Sequence, residues 1–386
     1  MGDFFDKKRE WSKYKDFILG YYLTPYISKL HKLNRPIIII DCFAGRGEFR
    51  DGEPGSPLII ARAVKPWHDK GVPIRCLFIE DDPKNYEHLS TIMVDYRGFC
   101  ETRLGSFDDQ LDQIARLAQS NSLFLYIDPY TIRGLIFDRI SAVYDQIHKA
   151  RSSVEVLINF NAATFMRWAL AALQRHQDIP VSTAEELVDQ LEDASSGALE
   201  LDILDSIAGG DYWKAIALRP DRSFTEKLQR FTRLYQEQMT KFFNYIVNYP
   251  IKEKYHHSVP KYYLIFATRH GDGLELINDA MCKARLQFLG KQFNQNMLFD
   301  LIPEREVANL SELRRTLLSI SPSDGSISRK ALRQKGLLKH FGRFEKKDFD
   351  AAIAALIESG ELYSSTGKAR INDGVLLSAI PFKPSG

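Results

Sequence analysis

Residues 36–47 have the sequence PIIIIDCFAGRG, in which an unbroken run of isoleucines leads to Asp41 and is followed by Gly45 and Gly47. Such a run of β-branched side chains is typical of a strand that is buried on both faces of a parallel sheet. Glycines let the backbone turn sharply and pass close to a ligand, because they carry no Cβ. The pattern predicts a nucleotide-type pocket at the carboxyl end of the first strand of an α/β sheet.

The residues around the glycines distinguish between the usual nucleotide ligands. A phosphate-binding P-loop would continue with Lys and Ser or Thr, whereas Gly47 is followed by Glu48 and Phe49. A dinucleotide site would have its third glycine where Arg50 stands, and an acid before the glycines disfavours an anionic pyrophosphate. Asp41 suits a ligand with a cationic group, and S-adenosylmethionine carries an ammonium and a sulfonium. A structural turn without a ligand is the alternative interpretation.

Length and composition narrow the class of protein. A chain of 386 residues predicts one large domain or two unequal ones, and a formal net charge of +2 does not by itself indicate nucleic-acid binding. The 4 cysteines lie far apart, which argues against a zinc site and for a reducing, intracellular setting. Because we find neither an apolar signal region nor an apolar run of membrane-spanning length, we expect a soluble, cytoplasmic protein without a bound metal or a membrane partner.

Alternating strand and helix patterns predict a doubly wound, mainly parallel, Rossmann-like sheet of the methyltransferase type. The expected organisation is an N-terminal helical segment (1–34), a Rossmann-like cofactor-binding core (35–161), a helical insertion (162–250) and the last strands of the core (251–300). The predicted strands are 36–41, 75–80, 122–128, 154–160 and 262–267, and the predicted helices near them are 10–33, 56–67, 84–95, 107–119 and 135–149.

The insertion has an uneven charge distribution. Residues 181–213 contain nine acids and neither Lys nor Arg, whereas residues 219–241 contain six Lys or Arg and three acids. A solvated surface insertion is one interpretation of this pattern. A lobe that docks a partner or covers the substrate is the other.

The tail has a different pattern from about residue 309 onwards. Helical patterns over 310–320, 328–334 and 345–359 precede a predicted hairpin over 361–371, which turns at Thr366-Gly367. Three helices followed by a hairpin predict a winged-helix domain over 309–386. Residues 311–386 carry thirteen Lys or Arg and eight acids, so we expect this domain to bind nucleic acid, with protein docking as the alternative.

Three acids end three predicted strands: Asp41, Glu80 and Asp128. The carboxyl ends of parallel strands meet at one edge of a sheet, where ligands bind, so these acids should lie close together. We expect Glu80 to bind the ribose hydroxyls of an adenosyl group; capping of the following helix is its alternative role. The predicted cofactor-binding residues are Asp41, Phe43, Ala44, Gly45, Gly47, Glu80, Ser106, Phe107 and Asp108.

Ser106, Phe107 and Asp108 belong to this set because the turn that holds them follows the position where a third strand would end. Their backbone and the Asp108 carboxylate could contact an adenine ring. An N-cap role for Ser106 or Asp108 in the next helix is the alternative.

Asp128, Pro129 and Tyr130 predict the catalytic position. An amine on an aromatic ring is a poor nucleophile, because its lone pair is delocalised into the ring. A carboxylate and a neighbouring carbonyl that accept its two protons would make the nitrogen reactive, and an adjacent aromatic side chain would stack on an extruded base. Ending a strand is the alternative role of this sequence. The weaker candidates for substrate contacts are Asn159, Asn161 and Arg167.

The segments 41–47 and 128–130 together resemble the first and fourth motifs of amino-methyltransferases. In that superfamily the Phe-x-Gly-x-Gly part binds S-adenosylmethionine, and the second motif usually has two prolines where this sequence has only Pro129. The resemblance implies a methyltransferase fold, S-adenosylmethionine as the cofactor and an amine as the acceptor.

A closer resemblance is to the three-Cys-motif partner protein family, over roughly residues 8–290. These proteins look like bacterial methyltransferase-fold proteins that are encoded beside a radical-SAM-like protein with three clustered cysteines, so the resemblance implies that protein as a partner. The matching segments, in the order of the family, are 11–15, 41–45, 55–58, 78–80, 127–130, 158–160 and 264–268.

Three functions follow as hypotheses. The first is a nucleic-acid methyltransferase that uses S-adenosylmethionine and acts on an exocyclic base amine through residues 128–130. The second is a cofactor-binding scaffold for the three-cysteine protein that carries out no transfer. The third is a metal-dependent nuclease or other hydrolase that uses Asp41, Glu80 and Asp128, for which a tight carboxylate cluster with a Lys would be expected.

Overall fold

A computed structural model describes residues 8–149, 153–177, 201–254, 256–294 and 309–382. The chain forms two compact units, residues 1–269 and 270–386. Most of the acidic stretch, residues 181–200, lies outside the described residues, as do residues 1–7 of the N-terminal segment and residues 383–386 of the tail. Among the helices that the structure describes, none is both long and apolar enough to cross a membrane.

The first unit contains a seven-stranded sheet with the order β3-β2-β1-β4-β5-β7-β6. Strands β1 to β5 pair in parallel, and β7 runs antiparallel to both β5 and β6. This order confirms the predicted doubly wound, mainly parallel, Rossmann-like methyltransferase sheet. The strands are β1 (Ile37–Asp41), β2 (Ile74–Glu80), β3 (Cys100–Leu104), β4 (Ser122–Ile127), β5 (Val154–Phe160), β6 (Tyr245–Ile251) and β7 (Tyr262–Thr268).

The isoleucine run forms the centre of this sheet. Every residue of β1 is buried, and Ile39 pairs with Cys76 on β2 and with Phe124 on β4. The strand order reverses between β1 and β4, because β2 and β3 lie on one side of β1 and β5 lies on the far side of β4. Ligands of open α/β sheets bind outside the carboxyl ends of the strands at such a reversal, so the fold places a pocket after Asp41 and Ile127.

Helices cover the two faces of the sheet, and those predicted before residue 150 agree with the structure within a few residues. A capping box begins α4, where the Ser106 side chain accepts from the backbone N–H of Asp109. The helices of the first unit are α1 (Glu10–His31), α2 (Ser56–His68), α3 (Pro83–Ile92), α4 (Phe107–Ser120), α5 (Phe137–Lys149), α6 (Ala162–Gln177), α7 (Leu201–Ala208), α8 (Tyr212–Ala217) and α9 (Phe224–Met239).

The segment predicted as a helical insertion differs from the structure at its end. Helices α6 to α9 share an aromatic core, in which the rings of Phe165 and Phe231 stack with their centroids 4.3 Å apart. However, β6 is a strand within the predicted helical range, because Tyr245, Ile246 and Val247 favour extended backbone. This strand lies at the edge of the sheet and is only half-buried, so its sequence lacks the continuous apolar run of a central strand.

The second unit contains α10 (Gly271–Asn294), α11 (Leu310–Ile320), α12 (Arg329–Lys339) and α13 (Lys346–Glu358), with an antiparallel sheet of β8 (Ile327–Ser328), β9 (Tyr363–Ser364) and β10 (Leu376–Ser378) in the order β8-β10-β9. The three predicted helices of the tail are present. The predicted hairpin is not, because the partner of β9 lies at Leu376–Ser378 and not before residue 371. A turn does form at Gly367, whose N–H donates to the Ser364 carbonyl at 3.0 Å. The winged-helix assignment and the predicted domain boundaries stay predictions.

A buried arginine connects the elements of the second unit. The Arg333 side chain on α12 is 0% exposed and pairs with Glu275 at 2.9 Å, with Asp350 at 2.7 Å and with Asp373 at 2.9 Å. These carboxylates come from α10, from α13 and from the loop before β10. Because a buried charge is tolerated only when it is paired and hydrogen-bonded, this cluster fixes the relative positions of those three elements.

Candidate functional site

The glycine loop after β1 is anchored to the strands on both sides of β1. The Cys42 N–H donates to the Tyr126 carbonyl on β4 at 2.9 Å, and the Ala44 N–H donates to the Ile79 carbonyl on β2 at 2.8 Å. Gly45 and Gly47 have φ angles of 63° and 78°, which other residues rarely adopt. A Cβ on Gly47 would also overlap the Ile92 side chain on α3. The loop therefore requires its glycines, and it lies at the carboxyl edge of the sheet.

Glu80 at the end of β2 holds this loop in place. Its carboxylate is 2% exposed and accepts from the Gly45 N–H at 2.6 Å and from the Asp82 N–H at 3.1 Å. Burial raises the pKa of Glu80 above its ordinary value. Asp82, and not Glu80, caps α3, because its side chain accepts from the Asn85 N–H at 2.9 Å. Glu80 is therefore free of the capping role, and its two oxygens retain further lone pairs for a ligand.

Asp41 at the end of β1 has an unsatisfied oxygen. The residue is 0% exposed, and its Oδ1 accepts from the Phe43 N–H at 3.3 Å. Its Oδ2 has no partner within hydrogen-bond distance in the described part of the chain, although the Ser56 hydroxyl lies beside the carboxyl and lowers its pKa. Burial raises the pKa of Asp41 to about 7. Because buried polar atoms normally have partners, this oxygen indicates a position for a donor or a cation that the protein itself does not supply.

Asp128 after β4 is held by three side-chain donors. Its Oδ2 accepts from the Lys15 ammonium at 2.5 Å and from the Tyr126 hydroxyl at 3.0 Å. Its Oδ1 accepts from the Asn159 amide at 2.6 Å. Lys15 is itself buried, and the Asn159 Oδ1 is a buried acceptor without a partner among the described residues. The cluster presents a fixed carboxylate and a vacant amide oxygen side by side.

The Asp128 cluster and the glycine loop line one pocket of about 680 Å³, including the open space at its mouth. Ser12, Lys15 and Asp16 of α1 form one wall, and the glycine loop forms another. Tyr130 is 45% exposed. Gly134 allows Phe43 and Pro129 to pack closely, since a Cβ on Gly134 would lie 2.9 Å from both Phe43 Cζ and Pro129 Cβ. The pocket opens beside an aromatic side chain, Tyr130.

The structure brings together most of the predicted site residues. Phe43, Ala44, Gly47, Asp128, Pro129, Tyr130 and Asn159 line the pocket, and Asp41, Gly45 and Glu80 are connected to them by the hydrogen bonds of the glycine loop.

The other predicted site residues are not among the residues that line this pocket. Ser106 caps α4, Phe107 packs against Phe43 with ring centroids 5.6 Å apart, and the Asp108 carboxylate pairs with Arg139. The Asn161 side chain accepts from the Thr164 N–H at 3.0 Å at the start of α6. The Arg167 guanidinium lies 5.6 Å from the ring centroid of Phe224.

Sequence reasoning allowed the helix over 10–33 to line the pocket but named none of its residues as site residues. Lys15 is a cation on a helix whose other inward residues are largely apolar or aromatic, and that was the available signal. Asp16 pairs with Lys8, and burial raises its pKa to about 6. Tyr262 at the start of β7 was also missed; its ring centroid lies 5.2 Å from the Lys15 ammonium. Among the described residues, the walls of the pocket therefore contain several carboxylates. Two of these, on Asp16 and Asp128, pair with buried lysine ammonium groups.

The metal-dependent hydrolase hypothesis finds no support in this geometry. Within the described ranges, no group of three or more His, Cys, Asp or Glu side chains is arranged to hold a metal ion. The carboxylates of Asp41, Glu80 and Asp128 are instead engaged separately, by backbone N–H groups and by Lys15.

Comparisons with known proteins give only remote similarities. Neither a protein-family model nor a curated protein matches the chain. A protein from Legionella pneumophila of the DUF519 family model is 10% identical, with 75% of this chain and 94% of that one covered and a TM-score of 0.41. The bifunctional kinase-methyltransferase WbdD is 13% identical (66% and 39% covered, TM-score 0.33). The methyltransferase domain of bacterial CtHen1 is 10% identical (66% and 100% covered, TM-score 0.30). Similarities this low transfer no function to the chain.

Proposed function

We propose that the protein is an S-adenosylmethionine-dependent methyltransferase that acts on an exocyclic amine of a nucleic-acid base. The observation that carries the proposal is the position of two carboxylates: Asp41, whose Oδ2 lacks a hydrogen-bond partner among the described residues, lies directly before the glycine loop, and the fixed Asp128 carboxylate lines the same pocket as that loop. The first suits a cationic cofactor, and the second suits an amine that donates protons.

The residues present fit S-adenosylmethionine. Asp41 would bind a cationic group through its unpaired oxygen, and Glu80 would accept from ribose hydroxyls through lone pairs that the Gly45 and Asp82 N–H groups leave available. Gly45 and Gly47 let the backbone approach the cofactor without a Cβ in the way. When bound, this cofactor would supply a methyl group on a sulfonium: the N–C bond to the amine forms as the C–S bond breaks, and the sulfur leaves as a neutral thioether.

The acceptor side follows from the Asp128 cluster. Lys15 and Tyr126 occupy one carboxylate oxygen, so Asp128 Oδ1 and the vacant Asn159 Oδ1 are the acceptors nearest to an incoming amine. Two acceptors that hold both amine protons would orient the nitrogen lone pair, and orientation supplies much of the acceleration in such displacements. The proton released after transfer would pass to Asp128 or to water. Tyr130, half-exposed at the mouth, would stack on the extruded base.

The three-cysteine, radical-SAM-like partner that the family resemblance implies belongs to this proposal as a protein that acts together with the enzyme. The scaffold function is kept as the competing outcome of the same experiment.

Calorimetry followed by a methyl-transfer assay tests the proposal. We expect S-adenosylmethionine to bind, and labelled methyl groups to appear in RNA or DNA. Absence of binding at millimolar cofactor would overturn the proposal. Binding without transfer to DNA, RNA or the partner protein would favour the scaffold instead.

Cofactor affinity should depend on pH because of Asp41. Its pKa of about 7 means that the folded protein keeps this carboxyl largely protonated below neutrality. A cationic ligand binds the ionised form, so affinity should rise between pH 6 and 8, and binding near pH 7 should release a proton. Calorimetry in buffers of different ionisation enthalpy measures that proton. In Asp41→Asn, the increase in cofactor affinity between pH 6 and 8 should shrink to the part that comes from ionisation of Asp16. An unchanged pH profile of affinity would contradict the role of Asp41.

The raised pKa of Asp41 also determines the direction in which the stability of the folded protein changes with pH. Because the folded-state pKa of Asp41 lies above its unfolded value of about 3.9, the folded protein binds more protons between these two values. The contribution of Asp41 to stability is therefore complete below the unfolded pKa and is lost as the pH rises to about 7.

A further inference from the structure

The loop between β6 and β7 lies beside the acceptor end of the pocket. Strand β7 begins next to the end of β5, because Tyr263 pairs with Phe160, and β6 ends next to the start of β7, because Ile251 pairs with Tyr262. The loop is therefore at the carboxyl edge of the sheet. It adjoins Asn159 and Tyr262, which line the pocket on the side of Asp128.

This loop is cationic and accessible to solvent. Residues 252–254 and 256–261 contain three lysines and two histidines against one acid, Glu253. The side chains of Lys254 and Lys261 are exposed, and Lys252 is half-buried. This positive charge lies directly beside a pocket with the opposite character.

The pocket itself disfavours a polyanion. Asp16, Glu48 and Asp128 line the pocket, and the described lysines beside these acids, Lys8 and Lys15, are already paired with carboxylates and so are not available to a phosphate. A nucleic acid can therefore place a base in the pocket only if its sugar–phosphate backbone remains outside. The backbone then needs cations at the rim, on the acceptor side, within a nucleotide or two of the inserted base.

Besides cations for the sugar–phosphate backbone, a surface that binds nucleic acid needs an aromatic side chain for the bases, and the exposed Tyr130 provides one. Proteins that bind single strands combine cations along the backbone with aromatic side chains on which bases stack. On the cofactor side of the mouth, by contrast, the cleft beside α3 combines Arg46, Arg50 and Lys84 with the acids Asp82 and Glu87. The mixed charge of that cleft makes it the weaker candidate.

We infer that the β6–β7 loop, through Lys252, Lys254 and Lys261, binds the phosphates of a single-stranded nucleic-acid segment next to the base that enters the pocket. This inference rests on the proposed function, because it assumes that the acceptor is a base. It places the binding surface within the first unit and not on the cationic tail.

Anisotropy with labelled single-stranded RNA and DNA oligonucleotides tests the inference on the full chain. The test variant is K252E/K254E/K261E. The control variant, K65E/K70E/K149E, makes the same charge change at the opposite edge of the sheet, where α2 and α5 end. The control breaks exposed pairs of Lys65 with Asp69 and Lys149 with Asp145, and it removes the Lys70 ammonium from the Trp67 ring; such surface interactions contribute little.

We expect the loop variant to bind the oligonucleotides at least about tenfold more weakly at low salt. The slope of the logarithm of its binding constant against the logarithm of the salt concentration should become less steep by about 0.7 for each phosphate that the loop no longer neutralises. The control should bind like the wild type, and all three proteins should bind S-adenosylmethionine equally.

Equal oligonucleotide binding by the two variants would overturn the inference. A wild type that binds the cofactor but no oligonucleotide would also overturn it and leave a methyltransferase with another acceptor. If the wild type showed no cofactor binding or no methyl transfer, but the loop variant still bound oligonucleotides more weakly than the control, the result would count against the proposed function alone.

Discussion

Replacing Asp128 with alanine should abolish methyl transfer while S-adenosylmethionine still binds with near wild-type affinity. Asp128 lies on the β4 side of the pocket, whereas the residues that fit the cofactor, Asp41 and Glu80, end β1 and β2. Removal of the carboxylate takes away the acceptor that would hold an amine proton. A positioned acid or base of this kind contributes about 10² to 10⁴ in rate, so kcat should fall by about that factor.

Matched variants separate the role of this carboxylate from its structural cost. Asp128→Ala leaves the buried Lys15 ammonium without its partner, so Asp128→Asn, which keeps the shape and one acceptor oxygen, is the better measure of chemistry. Asp69→Asn makes the same change at an exposed acid that pairs with Lys65, and it should retain full activity. Loss of both cofactor affinity and transfer in Asp128→Asn would mean that the acceptor site is misplaced.

Lys15 should act as a positioning residue for the same carboxylate. Lys15→Met removes the ammonium that occupies Asp128 Oδ2 but leaves Tyr126 and Asn159 in place. We expect kcat to fall while the dissociation constant of the cofactor stays unchanged. Lys15→Arg, which keeps the charge, should restore part of the activity, whereas a purely structural role would lower thermal stability without this pattern of rescue.

The core of the fold was predictable because its signals are local. The isoleucine run of β1 and the apolar run of β4 are continuous in sequence, since both strands are buried on two faces. Strand β6 was not predictable in the same way, because an edge strand with a half-buried pattern and an internal proline, Pro250, lacks that signal. The hairpin partner of β9 was misplaced because strands of two or three residues carry almost no periodicity.

The predictable part of the site consists of the residues that follow strand ends and the glycines of the loop after β1. Asp41, Glu80 and Asp128 follow strands, and the carboxyl edge of a parallel sheet collects them whatever the remaining packing is. The ion pair of Lys15 with Asp128 joins residues 113 positions apart, and no local pattern encodes which face of α1 meets β4. Ser106 shows the opposite case, since its capping box with Asp109 is a local signature that competes with a ligand role.

Replacing Arg333 with methionine should destabilise the second unit by about 3 kcal/mol, because it removes one side of a buried ion pair. The guanidinium is the common partner of Glu275, Asp350 and Asp373, and Glu275 is 5% exposed. The value lies at the low end of the usual range, since Lys346 still pairs with Glu275 and Arg329 with Asp350. Hydrogen exchange of the α12 amides in the full chain measures this loss. The control is Arg343→Met, which breaks a more exposed pair with Glu312 and should change the stability of the second unit much less.

The ion-pair cluster around Arg333 also predicts the direction in which the stability of the second unit changes with pH. The Arg333 guanidinium, which hydrogen-bonds to Asp373, lowers the pKa of that carboxyl below its ordinary value. A group whose folded pKa is lowered contributes stability above its unfolded pKa of about 3.9, and this contribution is lost as the pH falls through the folded value. The protection of the α12 amides in the wild type, corrected for the intrinsic exchange rate at each pH, should therefore fall below about pH 4. In the Arg333→Met variant, in which the pair is already broken, this protection should depend less on acid. Equal acid dependence in both proteins would show that this pair does not hold α12 in place.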